Sequence, residues 1–309
     1  MSFSQEVKKE ITTVETSLEG YKAELYGISK LKSNLVLSNR LLDLEYVTNN
    51  ITIARRIVTL LKKIFGADVE ILTKEQNKLD YKKLYYITVK GKAKEILTEL
   101  DILDENFNFK EDISPIYDNQ KPSVLRGMFL ARGSINDPNK SHYHLEIVCN
   151  EDSECQYIMN TLSDFGIAPK MIERRKGLVV YLKKSEHIGD FLKFIGATSL
   201  LFYFENERIK RDLNNVVNRV MNCDVANTDR ILKTASRQLE TIELIESKMD
   251  ITTLSQRLQD AIYLRKENPD SSLSELSEIS EDLIGKNISK SGLSHCFKDL
   301  DNIALGLKK

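Results

Sequence analysis

The sequence predicts an α+β chain: a duplicated αββαββα unit, a helical linker and an all-α helix-turn-helix domain. Three observations carry this. Two stretches repeat one order of elements, with Leu44-Glu45 matching Leu145-Glu146 and Phe65-Gly66 matching Phe165-Gly166 at nearly constant offset. Tyr203–Asp250 then keeps helical periodicity without a glycine or proline. Finally, Leu254–Leu307 divides into three short helical segments, the layout of a helix-turn-helix.

The expected divisions are an N-terminal helix within residues 1–20, repeat one at 21–100, a linker at 101–121 and repeat two at 122–200. A helical linker at 201–250 and the tail domain at 251–309 complete the chain. In repeat one, Lys22–Lys32 suits a helix, and Asn34–Leu37 with Arg40–Thr48 suits a hairpin turning at Ser38-Asn39. Ile51–Phe65 places Ile53, Ile57, Leu60, Leu61 and Ile64 three and four residues apart, the spacing of one helical face, and Gly66 stops it. Asp68–Thr73 and Leu84–Val89 alternate as strands, and Ala93–Leu100 closes the repeat as a helix. Asp101–Lys121 is acidic and reads as a linker leading to Pro122.

Repeat two opens with the helix Val124–Arg132, which overlaps the apolar run Leu125–Ile135. Gly127 and Ala131 lie one turn apart in it, which suits close packing against a second helix. His142–Cys149, Lys170–Arg174 and Leu178–Lys183 are expected as strands. Asp152–Phe165 and Glu186–Ile195 are expected as helices. Two such halves would join their apolar helical faces into one core. In the tail, a helix over Leu254–Glu267 stops at Asn268-Pro269. Ser272-Leu-Ser-Glu275 forms a capping box for a helix carrying Leu276, Ile279, Leu283 and Ile284, ended by Gly285. Ser289 caps a last helix with Leu293, Cys296, Phe297 and Leu300 on one side.

Composition narrows the function classes. Net charge is −1, so nucleic-acid binding would need a local patch rather than bulk positive charge. No run approaches the roughly 20 apolar residues of a membrane span, and Met1–Glu10 lacks a signal-peptide core, so a cytoplasmic protein without membrane insertion is expected. The four cysteines, Cys149, Cys155, Cys223 and Cys296, are scattered without close pairing and give no zinc framework. His142 and His144 share a strand face, but no further ligand follows at metal spacing, so surface histidines are expected. Cys223 reads as a packed thiol. No phosphate loop, nucleophile elbow or catalytic grouping is present. No catalytic residue, metal site or cofactor is therefore expected.

The last helix carries the functional signal. Burying Leu293, Phe297 and Leu300 turns Ser291, Ser294, His295 and Lys298 outward, with Ser289 and Lys290 at the start. Hydroxyls and cations on one helix face suit phosphates and base edges of double-stranded DNA. From Lys286 to Lys309 five lysines stand against Asp299 and Asp301. The same pattern also fits an ordinary solvated helix of a three-helix bundle. In the duplicated unit, alternation turns Glu146 and His144, and by the repeat Asp43 and Glu45, outward; carboxylates there oppose phosphate binding. That unit therefore reads as a scaffold or a platform for protein partners.

Three blocks together resemble the WhiA family of bacterial DNA-binding regulators. They are Leu125–Ile135 continuing through Asn136-Asp-Pro138 to His144-Leu-Glu-Ile147, then Asn218-Arg-Val-Met-Asn-Cys-Asp-Val-Ala-Asn227, then Ile288-Ser-Lys-Ser-Gly-Leu-Ser-His295. The resemblance covers nearly the whole chain. It implies a degenerate domain like those of LAGLIDADG homing endonucleases, tethered to a DNA-binding helix-turn-helix. It further implies work on the nucleoid in cell division and chromosome segregation, or in transcription. The endonucleases hold divalent metals with an acidic residue at the tip of each signature helix. Here those positions fall at Arg132 and near Leu31 or Lys32, so the resemblance implies no cleavage. The family's DNA contacts carry over to Ser289, Lys290, Ser291 and His295, while Cys296 and Asp299 replace the arginines usual after that histidine. Arg219, Asn222, Asp224 and Asn227 match the inter-domain block, with an implied positioning role. The alternative reading is a platform for division or segregation proteins with incidental DNA contact; function retained without residues 251–309 would favour it.

Overall fold

A computed structural model of the chain describes residues 1–38, 40–76, 82–113, 115–140, 142–175 and 177–307. It divides into two units, Met1–Asp212 and Leu213–Lys309.

The first unit begins with α1 (Phe3–Ile11), whose N-cap Ser2 and Gln5 form a reciprocal capping box. Helix α2 (Leu18–Lys32) starts earlier than its apolar pattern indicates, because Ser17 accepts from Gly20 N at 3.1 Å and caps it. Strands β1 (Ser33–Ser38) and β2 (Leu41–Thr48) form the expected hairpin, with Ser38 opposite Leu41; Asn39 lies outside the described residues. Helix α3 spans Ile51–Phe65 as expected, begun by the Asn50 side chain and ended by Gly66 at φ 56°. Strands β3 (Glu70–Gln76) and β4 (Lys82–Val89) and helix α4 (Ala93–Glu99) complete the repeat.

The second repeat runs α5 (Lys121–Arg132), β5 (Gly133–Ile135), β6 (Leu145–Cys149), α6 (Asp152–Asp164), β7 (Lys170–Arg174), β8 (Gly177–Leu182) and α7 (Ser185–Ile195). Each repeat builds a four-stranded antiparallel sheet, in orders β1-β2-β4-β3 and β5-β6-β8-β7. One continuous core joins both sheets through α2 and α5. The two helices meet at Gly27 and Gly127, where the backbones touch: a Cβ on Gly127 would fall inside van der Waals contact of the Glu24 carbonyl oxygen.

The 101–121 segment is more than a linker. Ile102, Leu103 and Tyr117 are buried in the core, Leu103 bridges Phe109, and the Tyr117 ring packs 4.6 Å from that of Tyr26. Alternation along β6 buries Leu145, Ile147 and Cys149 as expected. In β2, Asp43 has the parity opposite to buried Leu44 and Tyr46 but is not exposed. It is itself buried, accepting a hydrogen bond from Gly91 N at 2.8 Å. A carboxylate satisfied by a turn backbone is withdrawn from solvent.

A single helix, α8, covers Thr198–Lys248, 51 residues. Cys223 on it is exposed, not packed, as is every residue from Asp212 to Arg230. The second unit has its own core, in which Ile242 and Ile245 of α8 meet helices α9 (Gln256–Glu267), α10 (Leu273–Ile284) and α11 (Lys290–Leu307). The Ser272–Glu275 capping box forms, and Gly285 ends α10 at φ 68°. Of the apolar positions expected inward on α10, Leu276 is buried, whereas Leu283 is exposed. Arg265 is 1% exposed, donating to Gln238 Oε1 (3.0 Å) and to the Ser271 carbonyl (2.6 Å). It ties α9 to α8 and to the turn before α10.

Candidate nucleic-acid interface

In the second unit, Leu293, Cys296, Phe297 and Leu300 are all buried, which fixes the roll of α11 about its axis. The roll leaves Ser289, Lys290, Ser291, Ser294, His295 and Lys298 exposed. Ser289 accepts from Gly292 N at 3.2 Å and lies 3.1 Å from the Ser291 hydroxyl, so its oxygen is engaged in capping the helix. The helix N-terminus adds partial positive charge to that end, where Lys290 stands.

The local charge differs from a count along the chain. Lys286 pairs with Asp260 at 3.2 Å and is not a free cation of this face. Asp301 accepts from the Thr241 hydroxyl at 3.0 Å and faces α8. Lys308 and Lys309 lie outside the described residues. Among the described residues, Lys290 and Lys298 thus remain the exposed lysines of the patch without an ion pair. Sequence reasoning missed Arg257. From α9, it places Nε 3.2 Å from Cys296 Sγ and donates to the Gly292 carbonyl at 3.2 Å. A guanidinium so held stands beside the first turns of α11. It is 39 residues from Cys296 in the chain, so no local motif signals it. Asn227, Arg230, Thr234 and Lys290 also line a cavity of about 320 Å³ at the start of α10.

In the first unit, the ends of α2 and α5 converge on a basic cavity. Arg132 reaches Asn150 Oδ1, and Lys32 Nζ donates to the Ala131 carbonyl at 3.2 Å. Lys8, from α1, joins them by donating to the Leu130 carbonyl at 3.3 Å. Burial, and then the neighbouring Lys32, pushes the Lys8 ammonium down to about 8. Burial and the charge of Arg132 lower Lys32 in the same way. Between about pH 8 and 10.5 the unfolded chain therefore holds the Lys8 proton more tightly than the folded one, and stability rises with pH across that window. Lys8→Met should remove this slope. The strain it relieves is on the order of 1–3 kcal/mol at neutral pH. Thermal melts of both proteins from pH 7 to 10 should converge as pH rises; parallel curves would refute the assignment.

No cluster of His, Cys, Asp or Glu among the described residues has metal-site geometry. His142 is exposed, and His144 lies 2.9 Å from Glu146, which Arg174 also contacts at 2.9 Å. Burial pushes the Glu146 carboxyl up, but these two partners outweigh it and hold it below its ordinary value. Cys149 and Cys155 are free thiols, and the fold buries both.

Comparison with known proteins agrees with this arrangement along the whole chain. The WhiA N-terminal LAGLIDADG-like domain matches residues 19–103, the WhiA LAGLIDADG-like domain 121–214 and the WhiA C-terminal HTH domain 217–304. A Lysinibacillus sphaericus protein named "Probable cell division protein WhiA" is 38% identical over 312 residues, covering 100% of this chain and 98% of its own. A Macrococcus caseolyticus protein of the same name is 41% identical over 310 residues, covering 100% and 97%. The crystal structure of full-length WhiA from Thermatoga maritima aligns with a TM-score of 0.59 at 27% identity, covering 99% of each chain. With both LAGLIDADG-like repeats and the helix-turn-helix in place, the chain belongs to the WhiA family.

Proposed function

We propose that this is a non-enzymatic protein of bacterial cell division and chromosome segregation that binds double-stranded DNA through its C-terminal helix-turn-helix. The observation that carries the reading is the face of α11. Ser291, Ser294, His295, Lys290 and Lys298 stand together in solvent, while the opposite side of the helix fills the core. Ser291, Ser294 and His295 are of the kind that reads base edges, and the two lysines of the kind that neutralises phosphates. Ser289 sets the start of the helix, and Arg257 adds a cation beside it. No helix among the described residues is long and apolar enough to cross a membrane, in keeping with a cytoplasmic, nucleoid-associated protein.

A gel shift at several salt concentrations tests this. Lys290→Ala with Lys298→Ala should weaken duplex binding and lower the salt slope by about two, roughly one for each phosphate no longer neutralised. Unchanged affinity and slope would remove α11 from the interface. The basic cavity of the first unit supports the non-enzymatic part of the reading, since cations at both helix tips repel Mg²⁺. Duplex DNA incubated with the protein and Mg²⁺ should stay intact.

A further inference from the structure

The cavity where α2 and α5 end takes no part in the duplex reading. It measures about 680 Å³, within the roughly 300–1,000 Å³ range of small-molecule sites. Lys8, Lys30, Lys32 and Arg132 line it, with Asn49 and Asn150 from equivalent positions of the two repeats. Every hydrogen bond donated by these side chains goes to a neutral oxygen. Lys8 and Lys32 donate to carbonyls of α5, Asn150 Nδ2 to the Leu31 carbonyl at 3.4 Å, and Lys30 to the Glu111 carbonyl at 3.2 Å. Among the described residues no carboxylate lies within 4.0 Å of any of the four cations.

A simpler account is that the cations only cap helix ends. Charge decides against it. Two helix C-termini supply about half a negative charge each. Lys30 also faces the carboxylates Glu111, Glu151 and Glu154 in an adjoining cavity, where Glu154 accepts from Asn150 N at 2.7 Å and Glu151 N at 3.3 Å. With Lys30 set against those carboxylates, Lys8, Lys32 and Arg132 stand against about one negative charge of the helix ends, which leaves an excess of about two positive charges in a partly desolvated cavity. We propose that this cavity binds the phosphate of a phosphorylated small molecule, whose phosphomonoester dianion matches the charge excess and whose oxygens the lysines, Arg132 and the asparagines can reach. A phosphodiester of duplex DNA brings one charge per phosphate and fits the balance less well. The site is independent of α11, so its failure would not bear on the duplex reading.

The test uses the full chain with inorganic phosphate and glycerol 3-phosphate as probes, against sodium chloride at matched ionic strength. Thermal melting and phosphorus NMR line width are read together, so that binding is followed on any variant that folds. Both probes should raise the melting temperature saturably and broaden the phosphorus line. Arg132→Gln and Lys32→Gln should each raise the half-saturating concentration about tenfold or more, as loss of a charged hydrogen bond does. Arg132→Lys should recover part of it. A response equalled by chloride, or unchanged in the Arg132→Gln/Lys32→Gln double variant, overturns the proposal. So does competition in which a duplex oligonucleotide displaces phosphate through these same residues, which would make the cavity a DNA-backbone site.

Discussion

Gly27→Ala or Gly127→Ala is expected to destabilise the first unit by about 3–5 kcal/mol, above the usual cost of overpacking. The sign runs against helix propensity, which favours alanine over glycine by up to about 1 kcal/mol inside a helix. Packing wins here because the obstacle is backbone. A Cβ on Gly27 would overlap the Val124 carbonyl oxygen and come within 3.1 Å of Met128 N. A Cβ on Gly127 would overlap the Glu24 carbonyl oxygen and come within 3.0 Å of Ile28 N. No rotamer relieves either clash, so the helices must part along the seam that carries the core. Urea unfolding of the two variants measures the effect. A loss below about 1 kcal/mol would show that the helices can separate at little cost.

Glu24→Gln should cost about 3–5 kcal/mol, the scale for removing one partner of a buried ion pair. Glu24 is fully buried, 2.7 Å from Arg56 Nε and 2.7 Å from Arg56 Nη2. Arg126 reaches it at 3.4 Å and also donates to the Ile195 carbonyl at 2.7 Å. The carboxylate thus links α2, α3 and α5, and through Arg126 the end of α7. Without its charge, two guanidinium groups remain buried with only backbone carbonyls and a neutral amide oxygen as partners. Replacing all three by apolar residues, Glu24→Leu with Arg56→Met and Arg126→Met, should lose less than Glu24→Gln alone. If the triple variant loses more, the network contributes net stability and the desolvation argument fails.

The legible parts of the fold were those with a local cause. Asn50 and Gly66 bracket α3, the Ser272–Glu275 capping box starts α10, and buried Leu293, Phe297 and Leu300 set the roll of α11. The duplication was legible because equivalent apolar positions recur at nearly constant offset. What stayed hidden depends on groups distant in the chain. Nothing in Leu18–Lys32 marks Glu24 as buried between two arginines from other helices. Ile102, Leu103 and Tyr117 sit in an acidic stretch too short in apolar residues to show a period, yet they fill the core. Asp43 had the right strand parity, but a turn amide covers it. At the basic cavity Arg132 and Lys32 were visible as helix tips, whereas Lys8 arrives from α1. Beside α11, Arg257 was missed for the same reason, since only packing brings α9 to Cys296.

The exposed run of α8 from Asp212 to Arg230 bears on how damage spreads through the chain. No side chain there is held in a core, so that backbone relies on its own helical hydrogen bonds, which are marginal in isolation. A protease nick within the run should leave two fragments, each with its own buried cluster to keep it folded. Loss of either fragment would then leave the other with its own core intact.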